Sequence, residues 1–132
     1  MTLNCLYDIA DRDNIGVFSF DMDECESVSV LQNGKCYIAI DPFKLKTIVE
    51  EKEKLAHELG HCETGAFYNQ YSKLDIRAKH ERRANIWAIK KLIPKDELKK
   101  IISAGCIEVW DLAEYFEVSI PFLQMAMEYY AA

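Results

Sequence analysis

The sequence predicts an α+β fold, in which a small antiparallel sheet precedes a chain that is helical to its end. Two β-rich runs flank Asn33-Gly34, the strongest short signal for a β-hairpin. After the hairpin, apolar residues recur at helical spacing in segments separated by Gly65, Pro94 and Gly105. Because strands and helices occupy separate parts of the chain, the pattern favours an α+β protein over an alternating α/β fold.

The composition is that of a folded protein with one hydrophobic core. Of its 132 residues, 50% are hydrophobic and 29% are charged, which is ordinary for a globular domain. The net charge of −6 argues against a nucleic-acid partner. No apolar run approaches the roughly 20 residues that span a bilayer, and residues 1–13 lack the basic and apolar regions of a signal peptide. We therefore expect a cytoplasmic protein without a membrane partner.

The first half of the chain is predicted to contain one short helix, three strands and a longer helix. Residues 3–10 are predicted to be helical, and residues 15–20 alternate weakly, as a strand does. Residues 27–32 and 35–40 are the two strands of the hairpin. The longer helix begins at Thr47, which has the spacing of a capping box with Glu50, and it ends before Gly65.

This helix carries an H-E-x-x-H motif at residues 57–61. His57 and His61 are four residues apart, so they share one helix face with Cβ atoms roughly 5–6 Å apart, and both imidazoles can bind one metal ion. Glu58 is then placed beside the open position of the metal, where its carboxylate can accept a proton from water. Gly60 costs about 1 kcal/mol within a helix. It allows close approach of another segment, or it marks early fraying.

A catalytic zinc ion needs a third protein ligand. A second helix is predicted from Ile76 to Ile93, before Pro94. On it, Glu81 shares a face with two alanines, which would let this helix approach the motif helix with the carboxylate at the metal. We therefore favour Glu81 as the third ligand, with His80 as the alternative. Glu81 could instead pair with a neighbouring arginine.

Several segments together resemble the ImmA/IrrE family of metallopeptidases. In order, they are His57-Glu58-Leu59-Gly60-His61, Glu81-Arg82-Arg83-Ala84-Asn85-Ile86-Trp87-Ala88 and Leu92-Ile93-Pro94. Trp87 stands where the family usually has Phe, and Ile93 where Leu or Met is usual. The resemblance implies a zincin-like fold in which His57, His61 and Glu81 bind the metal. It also implies that Glu58 is the catalytic general base.

The resemblance further implies a cytoplasmic endopeptidase that cleaves a helix-turn-helix repressor of a prophage or mobile element. The alternative is a metal-containing regulator that binds and sequesters such a repressor without hydrolysis. Zinc (Zn²⁺) is the expected metal, and manganese (Mn²⁺) is possible because two imidazoles and one carboxylate select weakly. In H-E-x-x-H peptidases an edge strand binds the peptide by β-augmentation. Whether residues 35–40 form that edge or an ordinary hairpin strand stays open.

The cysteines and two tyrosines near the motif have less specific patterns. The chain has five Cys, an odd number, with no C-x-x-C pair, so free thiols are expected and Cys62 is expected to pack in the core. Tyr68 and Tyr71 lie in the loop after the motif helix. Either hydroxyl could stabilise an oxyanion near the metal, but the alternative is an aromatic wall.

The last third of the chain is predicted to form helices at 95–104, 108–117 and 120–130. Residues 112–123 resemble a helix-turn-helix pattern, but the segment 95–132 has three Lys against seven Asp or Glu. We therefore expect no DNA binding here. We expect one metallopeptidase domain over 1–132, with the sheet and active-site helices in 1–94 and a helical C-terminal extension in 95–132. The oligomeric state is not predicted.

Overall fold

The helices and strands follow the order predicted from the sequence. The structure is a computed structural model, and it describes residues 1–69 and 71–132. The α+β prediction is confirmed, since the described residues form a three-stranded sheet and six helices. The elements are α1 (Leu3–Arg12), β1 (Gly16–Ser19), β2 (Ser27–Gln32), β3 (Lys35–Ile40), α2 (Ile48–Thr64), α3 (Leu74–Leu92), α4 (Lys95–Ser103), α5 (Val109–Phe116) and α6 (Ile120–Ala131).

The sheet is mixed, whereas the sequence predicts an antiparallel one. β2 and β3 form the predicted antiparallel hairpin, and Asn33 and Gly34 have the positive φ values, 52° and 77°, that a two-residue turn of this type requires. β1 pairs parallel to β3, with Gly16 opposite Tyr37. Residues 20–26 lead past the Ile40 end of β3, so β3 lies between β1 and β2. The strand order β1-β3-β2 makes β3 central and leaves β2 at an edge.

The two faces of the sheet have different surroundings. Cys36, Ile38 and Ile40 of β3 are buried, and they belong to one hydrophobic cluster with Leu55 and Leu59 of α2. Alternate residues of a strand point to opposite faces. The other face therefore carries the side chains of the intervening residues, and Phe18, Val28 and Val30 on it are exposed. The sheet thus packs on α2 through one face only.

α2 begins and ends where its caps were predicted. The Thr47 hydroxyl accepts a hydrogen bond from the Glu50 N–H over 3.1 Å. The Glu50 carboxylate accepts from the N–H of Lys46 over 2.8 Å, one residue earlier than a standard capping box would place it. Gly65 ends the helix with a left-handed φ of 66°.

Gly60 lies where α2 and α3 are closest. A Cβ atom at this position would be 2.5 Å from the carbonyl oxygen of Ala84 and 2.9 Å from its Cα. Ala84 and Ala88 are fully buried on the face of α3 that was predicted to meet the motif helix. Only a residue without a side chain permits this approach, so the close-approach interpretation of Gly60 is the correct one.

The prediction of free thiols is wrong for two of the five cysteines. Cys36 of β3 and Cys62 in the last turn of α2 form a disulfide, with their Cα atoms 5.8 Å apart. The two residues are separated by 26 positions in the chain, and only the packing of the sheet on α2 brings them together. Cys5, Cys25 and Cys106 are free.

Hydrogen bonds connect the C-terminal helices to α2 and to the end of α3. The buried ammonium of Lys52 donates to the carbonyl of Phe116 over 2.8 Å, and Glu53 accepts hydrogen bonds from both the N–H and the hydroxyl of Ser119. The Tyr130 hydroxyl donates to the carbonyl of Ile93 over 2.7 Å. These bonds position α5 and α6 against the helices that carry the motif. None of the described helices has the length and apolar character needed to cross a membrane.

Candidate metal centre

Three side chains predicted to bind a metal converge between the C-terminal part of α2 and the middle of α3. The ligand atoms of His57, His61 and Glu81 all lie within 4.8 Å of one another. His57 Nε2 lies 2.8 Å from Glu81 Oε2, and His61 Nε2 lies 3.1 Å from Glu81 Oε1. The two Nε2 atoms are 3.2 Å apart. His80, the alternative ligand, is not part of this group.

In both imidazoles, the ring nitrogen that faces away from the group, Nδ1, makes a hydrogen bond that orients the ring. His57 Nδ1 bonds to Asn85 Oδ1 over 2.8 Å, and His61 Nδ1 bonds to the carbonyl oxygen of Ala66 over 2.5 Å. A carbonyl oxygen can only accept, so the proton of His61 lies on Nδ1 and the Nε2 lone pair is free for a metal. Asn85 orients His57 in the same way. Such contacts to the far side of a ligand fix its tautomer and its direction.

Tyr68 contacts the carboxylate of the group. Its hydroxyl donates to Glu81 Oε1 over 2.6 Å, and this hydrogen bond is the main cause that raises the pKa of Tyr68 to about 12. For Glu81, burial raises the pKa, but the bond from Tyr68 and the two neighbouring imidazoles together hold the pKa below its usual value. The carboxylate is therefore kept ionised, as a metal ligand must be. Tyr71 is 85% exposed and is not among the residues that line this site. The ring of His80 stacks on Tyr68.

Glu58 is buried beside the group and does not belong to it. Its side chain is 6% exposed, and Glu58 Oε2 accepts a hydrogen bond from the hydroxyl of Ser27 over 2.7 Å. Ser27 is the first residue of the edge strand β2 and lies 31 positions before Glu58. No motif or residue spacing in the sequence indicated a role for Ser27. Asn85 was recognisable only as part of the segment at residues 81–88 that resembles the ImmA/IrrE family.

A cleft of about 230 Å³ opens at these residues. One wall is the start of β2, and the other comes from α3 and the loop after α2. The lining residues are Ser27, Val28, Ser29, His57, Glu58, His61, Ala66, Phe67, Tyr68 and Glu81. An extended peptide that enters the cleft can therefore lie beside the start of β2.

The donor set fits a divalent metal ion of the catalytic type. Two imidazole nitrogens and one carboxylate oxygen converge, each held by a second hydrogen bond, and this is the ligand set of zinc sites that keep one position open. A structural zinc site would have four protein ligands, usually rich in Cys. Cys62, which directly follows the motif, is joined to Cys36 in a disulfide and offers no thiolate.

A comparison with protein families agrees with this geometry. A family model, Peptidase_M78, described as the IrrE N-terminal-like domain, matches residues 45–128, which is well over half of the chain. The matched part includes α2 to α5 and most of α6, and it does not include the sheet. A search of curated proteins found no match.

Proposed function

Since this chain belongs to the Peptidase_M78 family of metal-dependent proteases, we propose that it is a zinc-type endopeptidase in which Glu58 is the general base. The observation that carries the proposal is the convergence of His57, His61 and Glu81, with a separate buried carboxylate beside them. A structural metal site does not require a carboxylate that is not a ligand. Hydrolysis does require one, because a general base must accept a proton from water and donate it to the leaving group.

In the proposed mechanism, the chain's own residues position the reaction and move its proton. His57, His61 and Glu81 would hold the ion, and Asn85 and Tyr68 would keep two of these ligands in place. When bound, the metal supplies Lewis-acid chemistry, acidifying water and polarising the substrate carbonyl. Glu58 accepts the proton from the attacking water and then donates it to the leaving amine. The hydrogen bond from Ser27 holds Glu58 Oε2, and Glu58 lines the cleft.

The proposed substrate is a helix-turn-helix repressor of a prophage or mobile element, cleaved in the cytoplasm. The support for this is the likeness to ImmA/IrrE proteins in the three segments of α2, α3 and the Pro94 turn. The cleft itself supports a protein substrate, because it lies along a strand edge that can pair with an extended peptide.

The test compares three forms of the zinc-loaded chain with a purified helix-turn-helix repressor as the substrate. Glu58→Gln should retain the metal and lose at least about a hundredfold in kcat, the usual contribution of a general base. Glu51→Gln, on the same helix but outside the cleft, is the matched control and should cleave like the wild type. Wild-type turnover by Glu58→Gln would reject the proposal.

The same assay distinguishes hydrolysis from sequestration. An enzyme cleaves many repressor molecules per chain, whereas a sequestering protein acts only near equimolar amounts. Stoichiometric binding by the wild type without any cleavage product would favour the metal-containing regulator over the peptidase.

A further inference from the structure

A second cleft opens at the Cys36–Cys62 disulfide, and it is separate from the cleft at the metal centre. Its volume is about 230 Å³, and both cysteines line it together with Asp13, Asn14 and Glu63. None of these residues lines the cleft at the metal centre. Cys36 is 8% exposed, whereas Cys62 is partly exposed and is the more accessible of the two. A small molecule that enters this cleft therefore meets the disulfide.

The disulfide joins two elements that the backbone also joins at another point. Residues 41–47 connect the Ile40 end of β3 to the start of α2. Cys36 lies at the opposite end of β3, and Cys62 lies in the last turn of α2. With the bond closed, both ends of β3 are covalently linked to the same helix. With the bond open, only the Ile40 end retains such a link.

The sheet held in this way carries Ser27 to the proposed general base. Ser27 lies opposite Ile40 in the pairing of β2 with β3, and its hydroxyl bonds to Glu58 Oε2 over 2.7 Å. The metal ligands belong to α2 and α3, which meet directly at Gly60 and Ala84 without the sheet. A change in how β3 is held on α2 consequently acts on Glu58 through Ser27 and leaves the ligand group in place.

The cysteine pattern favours a bond that opens and closes over a permanent structural bridge. The chain has five cysteines, an odd number, and three of them are free. Disulfides that serve only structure are typical of oxidising compartments, whereas those in a reducing compartment are usually transient. An accessible disulfide is also more readily attacked by a small thiol than a buried one is. The Cys36–Cys62 bond has this accessibility because it lines a cleft.

We propose that Cys36 and Cys62 form a reversible redox site, which a low-molecular-weight thiol opens and a low-molecular-weight disulfide closes, and that the closed form is the more active peptidase. The effect on activity rests on the proposed function, and the redox site itself does not. The site thereby links hydrolysis to the thiol–disulfide balance around the protein.

The opening reaction takes place in two exchange steps. The thiolate of one small thiol attacks Cys62 Sγ, the S–S bond breaks, and Cys36 leaves as a thiolate that takes up a proton. A second small thiol then attacks the sulfur of the first, and Cys62 leaves as its thiol. Two small thiols are thus oxidised to one small disulfide, and the protein disulfide gains the two electrons. Closure by a small disulfide is the same sequence in reverse.

The first measurement follows the bond itself and needs no substrate. Cys5→Ser, Cys25→Ser and Cys106→Ser are combined in the zinc-loaded chain, so that only the proposed pair can react. The folded protein is incubated with mixtures of reduced and oxidised glutathione, and free thiols are trapped by alkylation and counted by mass spectrometry. Two alkylated cysteines are expected in the reduced mixture and none in the oxidised mixture, with full reversal. A bond that opens only when the protein unfolds, or thiols that never pair, would overturn the inference.

The second measurement compares the two forms of this triple variant as enzymes on one repressor substrate. Reduction should lower kcat by about three- to tenfold, the largest effect expected from losing the orienting bond of Ser27 to Glu58. Zinc content should stay the same. Adding Ser27→Ala should abolish the response, because that bond is then absent in both forms. Adding Cys36→Ser and Cys62→Ser should give the slower rate in either mixture.

The outcomes separate the redox site from the proposed function. An equal kcat in the two forms, or an equal response with and without Ser27→Ala, would reject the proposed control of activity. If the cysteines exchange reversibly but neither form hydrolyses the repressor, the proposed function fails and the redox site stands. Hydrolysis by a chain whose bond does not respond to glutathione rejects the redox site alone.

Discussion

Ser27 Oγ lies 2.7 Å from Glu58 Oε2, and this hydrogen bond joins the edge strand of the sheet to the carboxylate of the H-E-x-x-H motif. Both residues line the cleft. Ser27 lies outside the part of the chain that the family model matches. The sheet therefore contributes to the proposed active site a contact that the motif helices do not contain.

Ser27→Ala should lower kcat by about tenfold, because a hydrogen bond to a charged group contributes roughly 1.5–3 kcal/mol and part of this orients Glu58. KM and metal content should change little. Ser27→Thr retains a hydroxyl and should restore most of the rate. Ser29→Ala, which removes a hydroxyl from the same strand face without touching Glu58, is the matched control. Steady-state kinetics on one substrate checks all three, and an unchanged kcat in Ser27→Ala would contradict the positioning role.

Tyr68→Phe should weaken metal binding by about 10- to 100-fold, the usual effect of losing a partner that holds a metal ligand. The reason is that the Tyr68 hydroxyl bonds to Glu81 Oε1 over 2.6 Å. Tyr71→Phe removes the same hydroxyl from a ring that is 85% exposed and should bind metal like the wild type. Competition with a zinc chelator measures both affinities. Equal affinities in the two variants would show that Tyr68 does not hold Glu81.

Gly60→Ala should lower the free energy of unfolding by about 1–3 kcal/mol, as overpacking of a tight contact does. The added methyl would be 2.5 Å from the carbonyl oxygen of Ala84, and this clash exceeds the roughly 1 kcal/mol that Ala gains over Gly in a helix. Metal affinity should fall too, since Glu81 moves away with α3. Gly34→Ala meets no atom within 4 Å and tests the cost of a left-handed Ala alone. Urea denaturation compares them, and a Gly60→Ala protein as stable as the wild type would refute the close contact.

Asp41→Asn should reduce the dependence of stability on acid pH. The buried Asp41 carboxylate accepts hydrogen bonds from the N–H groups of Met22 and Phe43, and the first of these is the largest cause that lowers its pKa. A carboxyl whose pKa is lower in the folded than in the unfolded state stabilises the fold above its unfolded pKa of about 3.9, and this contribution is lost as the pH falls further.

The difference in unfolding free energy between the wild type and Asp41→Asn should therefore be largest near neutral pH and shrink below about pH 4. Denaturation curves recorded from pH 6 to pH 3 measure it. Asp23→Asn, which removes the charge of an exposed carboxylate, is a control for general charge effects. A difference that stays constant across this range would contradict the assignment to Asp41.

Local patterns were sufficient for most of the secondary structure. The hairpin strands at 27–32 and 35–40 have the bounds predicted, because Asn33-Gly34 determines both the turn and the register. The second long helix was expected from 76 to 93 and runs from Leu74 to Leu92, since Pro94 ends it. Short-range signals of this kind act within a few residues, so they can be recognised without any knowledge of packing.

The parallel pairing of β1 and the disulfide could not be predicted in this way. A strand of four residues with weak alternation does not specify its partner, and here β1 pairs with β3 only because residues 20–26 lead past the end of β3. Cys36 and Cys62 are bonded because the inner face of β3 packs on the last turn of α2. The odd number of cysteines indicated free thiols instead of a disulfide.

The sequence by itself determined which residues could hold a metal, because i and i+4 spacing places two histidines on one helix face whatever the rest of the chain does. Glu81 and its small neighbours Ala84 and Ala88 also followed from helical periodicity. Only the tertiary structure decided what surrounds them: the contact of Gly60 with Ala84, the bond of Ser27 to Glu58, and the open edge of β2 beside the cleft. These depend on packing between segments far apart in the chain, and no local spacing encodes them.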